Sequence, residues 1–240
     1  MDIEAWEQEL RSFTSKHLVQ DEAHDVYHTI RVAEAAKIIL DEEGGDPFVV
    51  ITACYFHDCV SLPKNAPNRQ ESSKLSAEKC ISILKERFSD FPRNLQQSIY
   101  HAILAHSFSA NIAPETLEAK IVQDADRLDA LGAIGLARVF YIAGSMGQEL
   151  WSEFDPFALR REVNDKEFAL DHFQSKLLKL PYGMNTNKGH ELAKAKCNYL
   201  VEFLEKLSED IGGNSNDYNE VKEKIWAWKK NEQENCRLHI

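Results

Sequence analysis

Residues 46–58 read DPFVVITACYFHD. So dense an apolar, β-branched run belongs in a core, as a strand or as a helix. Asp46-Pro47 decides between them: an aspartate can accept from the first unpaired N–H groups, and proline's fixed φ suits a first helical turn. The run is also long and has no alternating polar face. It therefore reads as a helix buried on all sides. His57-Asp58 then stands at its polar end, where the apolar residues stop.

Outward from this helix the pattern stays helical. Towards the N-terminus, Trp6, Leu10, Phe13 and His17 recur at three- and four-residue steps, and a second helix runs from Asp25 to Glu43, ended by Gly44-Gly45. On the other side, Ser61 to Arg69 (SLPKNAPNR) is a loop, and Ser72-Ser73 can cap a helix through Leu84. Pro92 opens a helix to Ser107, and Pro114 opens one towards Leu131. Gly132 and Gly135 allow a break before a helix from Arg138 to Met146. Asp155-Pro156 lies in a loop, and helices follow over Phe168–Leu180 and Glu191–Ile211. The expected class is all-α, a helical bundle with additional C-terminal helices. Residues 1–212 form its domain, and residues 213–240 form a linker with a charged tail.

A chain of 240 residues that is 43% hydrophobic and 28% charged carries a real core. At that size folding buries roughly 70% of the unfolded surface without disulfide support. Cys54, Cys59, Cys80, Cys197 and Cys236 form no CxxC pair, as in a reducing compartment. The net charge of −11 argues against extended docking on nucleic acid or anionic lipid. MDIEAWEQEL lacks the basic-then-apolar start of a signal peptide, and no run reaches the ~20 apolar residues of a membrane span. A cytoplasmic protein is expected. Its amphipathic helices would pack equally well within one chain or across a homodimer.

The chemistry begins at His57-Asp58. Helix neighbours point about 100° apart, so both side chains can reach an ion beyond the helix end. An imidazole and a carboxylate suit a divalent ion of the first transition row. Upstream, His28 sits in AHDVYHTIRV with Asp25 and Arg31 three residues to either side, on its face; Asp25 could orient the ring or only cap the helix. Downstream, KIVQDADRLDALGAIG puts Asp124, Asp126 and Asp129 on an apolar helix, Asp126 and Asp129 on one face. Buried carboxylates need a cation, which a metal or an ordinary partner such as Arg127 or Lys120 could supply. There is no phosphate-binding glycine loop, no GxSxG and no HExxH.

The ordered set His28, His57-Asp58, Asp126 resembles the HD-domain metal-dependent phosphohydrolase superfamily. HDVYHTIRV, TACYFHDCVSLPKNAPNRQESSKLSA, HAILAHSFSA and AKIVQDADRLDALGAIGLARV look like its bacterial YedJ/YpgQ-type branch, as does DHFQSKLLKLPYGMNT. The resemblance implies that His28, His57, Asp58 and Asp126 hold a divalent metal, with Asp124 as the fallback to Asp126. Mn²⁺ is the first expectation, ahead of Mg²⁺, Co²⁺, Ni²⁺, Fe²⁺ or Zn²⁺. It further implies a small phosphorylated substrate, a nucleotide in the first place, with a nucleoside triphosphate cut to monophosphate and pyrophosphate. A 5′-monophosphatase, a phosphodiesterase, a non-catalytic nucleotide-binding module and a di-iron oxygenase of the same fold are the alternatives.

Beside the metal set, Asp58 and His106 are the catalytic candidates; a structural histidine is the plain alternative for His106. Lys64 and Arg69 could neutralise phosphate, and Ser72 and Ser73 could bond it at a helix start, against plain roles as loop charge and capping. His101, five residues from His106 and about 140° away around a helix, is a substrate-binding candidate. Asp129 would position substrate or bind groups behind the metal ligands.

Overall fold

The computed structural model describes residues 2–17, 26–62, 68–107, 110–212, 220–221, 223–224 and 227. These residues are helical and contain no strand beyond an isolated bridge between Glu149 and Phe168. Lys64, Asp25 and the tryptophans of the C-terminal tail, Trp226 and Trp228, lie outside the described residues. The helices are α1 (Ile3–His17), α2 (Val26–Glu43), α3 (Pro47–Phe56), α4 (Ser72–Arg87), α5 (Gln96–His106), α6 (Leu117–Asp129), α7 (Gly132–Ser145), α8 (Asp171–Ser175) and α9 (Asn187–Gly212). They fall into two compact units, Met1–Asp129 with Asn185–Gly189, and Ala130–Met184 with His190–Ile240.

In the first unit α3 is central, with α1, α2, α5 and α6 packed against it. Val49 to Phe56 are all buried, so the β-branched run is a helix enclosed on every side. Its start is built as the sequence indicated: Asp46 accepts from the Phe48 and Val49 N–H groups, and Pro47 fills the first turn. Trp6 of α1 is buried in this core. Its indole Nε1–H donates to Thr52 Oγ1 at 2.9 Å, and its ring stacks on Phe91.

At α4, α6 and α9 the structure departs from the sequence reading in how the helix start is capped. α4 has no side-chain cap: Glu71 holds that position, and Ser72 Oγ instead accepts the Leu62 N–H. α6 begins after Thr116, whose Oγ1 accepts from Ala119 N, and so later than Pro114. α9 begins earlier than Glu191 because Thr186 Oγ1 caps Gly189 N at 3.0 Å.

In the second unit α7 starts at Gly132, whose φ of +68° favours glycine, and not near Arg138. A Cβ at Gly135 would collide with the Ala130 carbonyl. The helix expected from Phe168 is confined to Asp171–Ser175 and continues as a 3₁₀ turn, Leu177–Gly183. Residues before it are held otherwise, since Ala169 N and Leu170 N donate to the Glu149 and Leu150 carbonyls. Buried Asp171 takes a two-pronged bond from Arg161 at 2.6 and 2.7 Å, with the guanidinium over the Phe168 ring. From the tail, Val221 is buried and Lys224 Nζ donates to the Phe157 and Ala158 carbonyls.

Candidate metal centre

The centre lies in the first unit, where the ends of α3 and α5 meet α2 and α6. His57 follows the last residue of α3, and His106 is the last residue of α5. Both are fixed by the same local device. His57 Nδ1 lies 2.7 Å from the Cys54 carbonyl, and His106 Nδ1 lies 2.6 Å from the Ile103 carbonyl, each three residues back. A carbonyl only accepts, so both Nδ1 atoms carry the proton and both Nε2 atoms project beyond the helix end. Such a bond also satisfies a carbonyl that a helix terminus leaves unpaired.

His28, in the first turn of α2, is held from farther away. Its Nδ1 donates to Asp129 Oδ2 at 2.7 Å, and its Nε2 stands 3.1 Å from His57 Nε2. Two ring nitrogens whose partners on the other side are both occupied thus point their lone pairs at each other. Only a cation or a proton between them makes that arrangement favourable.

Carboxylates surround the same point. Asp58 Oδ2 is 3.4 Å from His57 Nε2 and 3.9 Å from His28 Nε2. Asp126 Oδ1 is 3.5 Å from His28 Nε2 and 3.7 Å from His57 Nε2. His28, His57 and Asp58 each offer a ligand atom within 4.8 Å of the others, and form a cluster able to hold a metal ion. The two imidazoles are 3% and 1% exposed, whereas Asp58 and Asp126 are 23% and 27% exposed. The cluster is therefore walled by histidine and open on its carboxylate side.

Electrostatics follow from this layout. Burial holds the His57 imidazole down at about 4, against the pull of Asp58, so its Nε2 lone pair is free at neutral pH. Burial also opposes charge on His106, but contact with Asp58 and the charge of Asp126 prevail and raise it to about 9. On His28 the carboxylates likewise outweigh burial and raise it above the ordinary value.

Asp124 points elsewhere. Fully buried, it accepts from Asn185 N and Nδ2 and from Thr186 N and Oγ1 at 2.8–3.0 Å. It joins α6 to the 185–189 segment. Asp129 bonds His28 and Arg31, the latter at 2.6 and 3.0 Å. His101 Nε2 accepts the Glu115 N–H, and Arg69 donates to the Leu62 carbonyl. Ser72 Oγ accepts from Leu62 N, and Ser73 Oγ is buried with no hydrogen-bond partner among the described residues.

The HD domain family matches residues 25–131, which contain His28, His57, Asp58 and Asp126. The chain is 33% identical over 211 residues to the protein YpgQ of Bacillus subtilis, covering 86% of this chain and 94% of that one. It is an HD-domain protein of the YpgQ-like branch. The crystal structure of YpgQ in complex with ADP superposes with a TM-score of 0.66 at 32% identity, over 86% of this chain and 98% of that one. An HD-superfamily hydrolase from Bacillus thuringiensis superposes with a TM-score of 0.68 at 28% identity, over 87% and 98%.

Sequence reasoning missed what holds the chain after the HD pair. Ser76 Oγ accepts from Val60 N and donates to Val60 O, and Lys79 Nζ donates to the Cys59 carbonyl. With Ser72 these lie at i, i+4 and i+7, one face of α4. That polar stripe on an otherwise core-facing helix was the available signal. Cys54, Cys59, Cys80 and Cys197 are buried thiols. Burial pushes the Cys59 thiol up to about 11, so it packs as a thiol and not as a thiolate ligand.

Proposed function

We propose that His28, His57, Asp58 and Asp126 hold one divalent cation, Mn²⁺ in the first place. We further propose that the site hydrolyses a nucleoside triphosphate to monophosphate and pyrophosphate. The observation that carries the metal reading is the facing pair of imidazole lone pairs between two partly exposed carboxylates. Nitrogen and oxygen donors in equal number suit a borderline first-row ion better than a thiolate-seeking one. A cation bound there supplies Lewis acidity, polarising a phosphoryl oxygen and making water more acidic.

The chain's own residues do the rest. The Cys54 carbonyl keeps His57 in the tautomer that leaves Nε2 free. Asp58 presents one oxygen towards His57 and the other towards His106. His106, whose charged form the neighbouring Asp58 favours, touches that carboxylate, from where it can hold a developing negative charge or give its proton to a leaving phosphate oxygen. Arg69, and Lys64 six residues after Asp58 in the sequence, supply positive charge for a phosphate chain. His101 and Ser73 take no part in this reading. The ADP bound in the YpgQ crystal structure supports a nucleotide ligand of two or more phosphates.

A panel of nucleoside mono-, di- and triphosphates and simple phosphate esters, assayed with Mn²⁺, Mg²⁺ and Co²⁺, tests the proposal. Release of pyrophosphate from triphosphates is expected. Orthophosphate released from monophosphates alone would replace the reading with a 5′-monophosphatase.

A further inference from the structure

His28 differs from the other two imidazoles of the centre in what stands behind it. His57 and His106 lean on neutral carbonyls of their own helices. His28 leans on a carboxylate 101 residues away, Asp129, only 5% exposed. Arg31, one turn along α2 from His28, grips both oxygens of that carboxylate, with Nε 2.6 Å from Oδ1 and a terminal nitrogen 3.0 Å from Oδ2.

We infer that Arg31 and Asp129 form the positioning pair of the metal centre, fixing the His28 ring with Nε2 towards the cation and setting how tightly it is held. The inference rests on the single-cation reading above. A carboxylate behind an imidazole makes the ring a stronger donor than a carbonyl does, so His28 is the most strongly polarised nitrogen ligand. The fork of Arg31 prevents the carboxylate from rotating, and its charge leaves the pair neutral. Asp129 therefore acts through the ring it orients and adds no net charge to the site. Neither residue reaches substrate in this account. Of the two roles expected for Asp129, this is the one behind the metal.

The test uses full-length, metal-stripped protein titrated with Co²⁺, followed by calorimetry and by the visible Co²⁺ absorption band, which reports ligand geometry. Asp129→Asn keeps an acceptor for the His28 Nδ1–H but loses the charge. It is expected to weaken Co²⁺ binding about 10- to 100-fold and to shift the band, with the metal-free melting temperature as a control on folding. Arg31→Ala is expected to weaken it less, and in the Asp129→Asn background to add almost nothing, because the two act as one unit. Asp129→Asn protein that binds Co²⁺ as tightly as wild type with an unchanged band would overturn the inference. Additive losses from the two substitutions would overturn the pairing. Wild-type protein that binds no Co²⁺ would instead overturn the single-cation reading beneath it.

Discussion

Asp58 Oδ1 lies 3.3 Å from His106 Nε2, while Asp58 Oδ2 faces the Nε2 atoms of His57 and His28. One carboxylate thus separates the paired histidines from a third, whose charged form it favours. We propose that the pair binds metal and that His106 handles the proton. Replacing His106 with Ala should leave one equivalent of bound metal and lower kcat about 10²- to 10⁴-fold. Metal analysis and steady-state kinetics on one preparation check this. A variant that loses both metal and activity would make His106 a ligand.

Asp124 and Asp126 are two residues apart, yet only Asp126 faces the histidines. Asp124→Asn should cost stability through its bonds to Asn185 and Thr186, about 1.5–3 kcal/mol for hydrogen bonds to a charged acceptor. Metal stoichiometry should not change. Urea unfolding alongside metal titration separates the two effects, and loss of metal from a folded Asp124→Asn protein would restore Asp124 as the ligand.

Much of this was legible in the sequence, and the reason is local. Asp46-Pro47 announces α3, and the order of His28, His57, Asp58 and Asp126 along apolar helices announces the cluster. The His57–Cys54 and His106–Ile103 bonds span three residues, so an apolar helix ending in histidine already carries their signal. What was not legible depends on distant chain segments. The bond between His28 and Asp129 has no local signature, and neither has the pairing of Asp171 with Arg161, ten residues back. The start of α9 was misplaced because Thr186 serves two partners at once, Gly189 N and Asp124.

The bond from Trp6 Nε1 to Thr52 Oγ1 ties α1 to the central helix inside the core. Thr52→Val keeps the shape and leaves the buried indole N–H without its acceptor. A loss of about 1–3 kcal/mol is expected. Denaturant unfolding followed by tryptophan fluorescence measures it, and an unchanged midpoint would show that the bond contributes nothing net.

In the second unit Asp155 accepts from the N–H groups of Leu159, Arg160 and Arg161. Burial opposes its charge, but these bonds prevail and hold its carboxyl below the ordinary carboxylate range. A depressed folded value stabilises the fold at pH above the unfolded value of about 4, and the contribution fades as pH falls through the folded one. Asp155→Asn should therefore reduce stability at pH 6 and match wild type more closely near pH 3. Urea midpoints at the two pH values give the comparison; an equal deficit at both would remove Asp155 from the acid response.

The most direct test is a crystal structure of the Mn²⁺-loaded protein with the metal located by anomalous scattering. The account predicts one peak roughly 2 Å from His28 Nε2, His57 Nε2 and the facing oxygens of Asp58 and Asp126. A peak that leaves Asp126 outside coordinating distance, or that lies away from the two histidines, would contradict it.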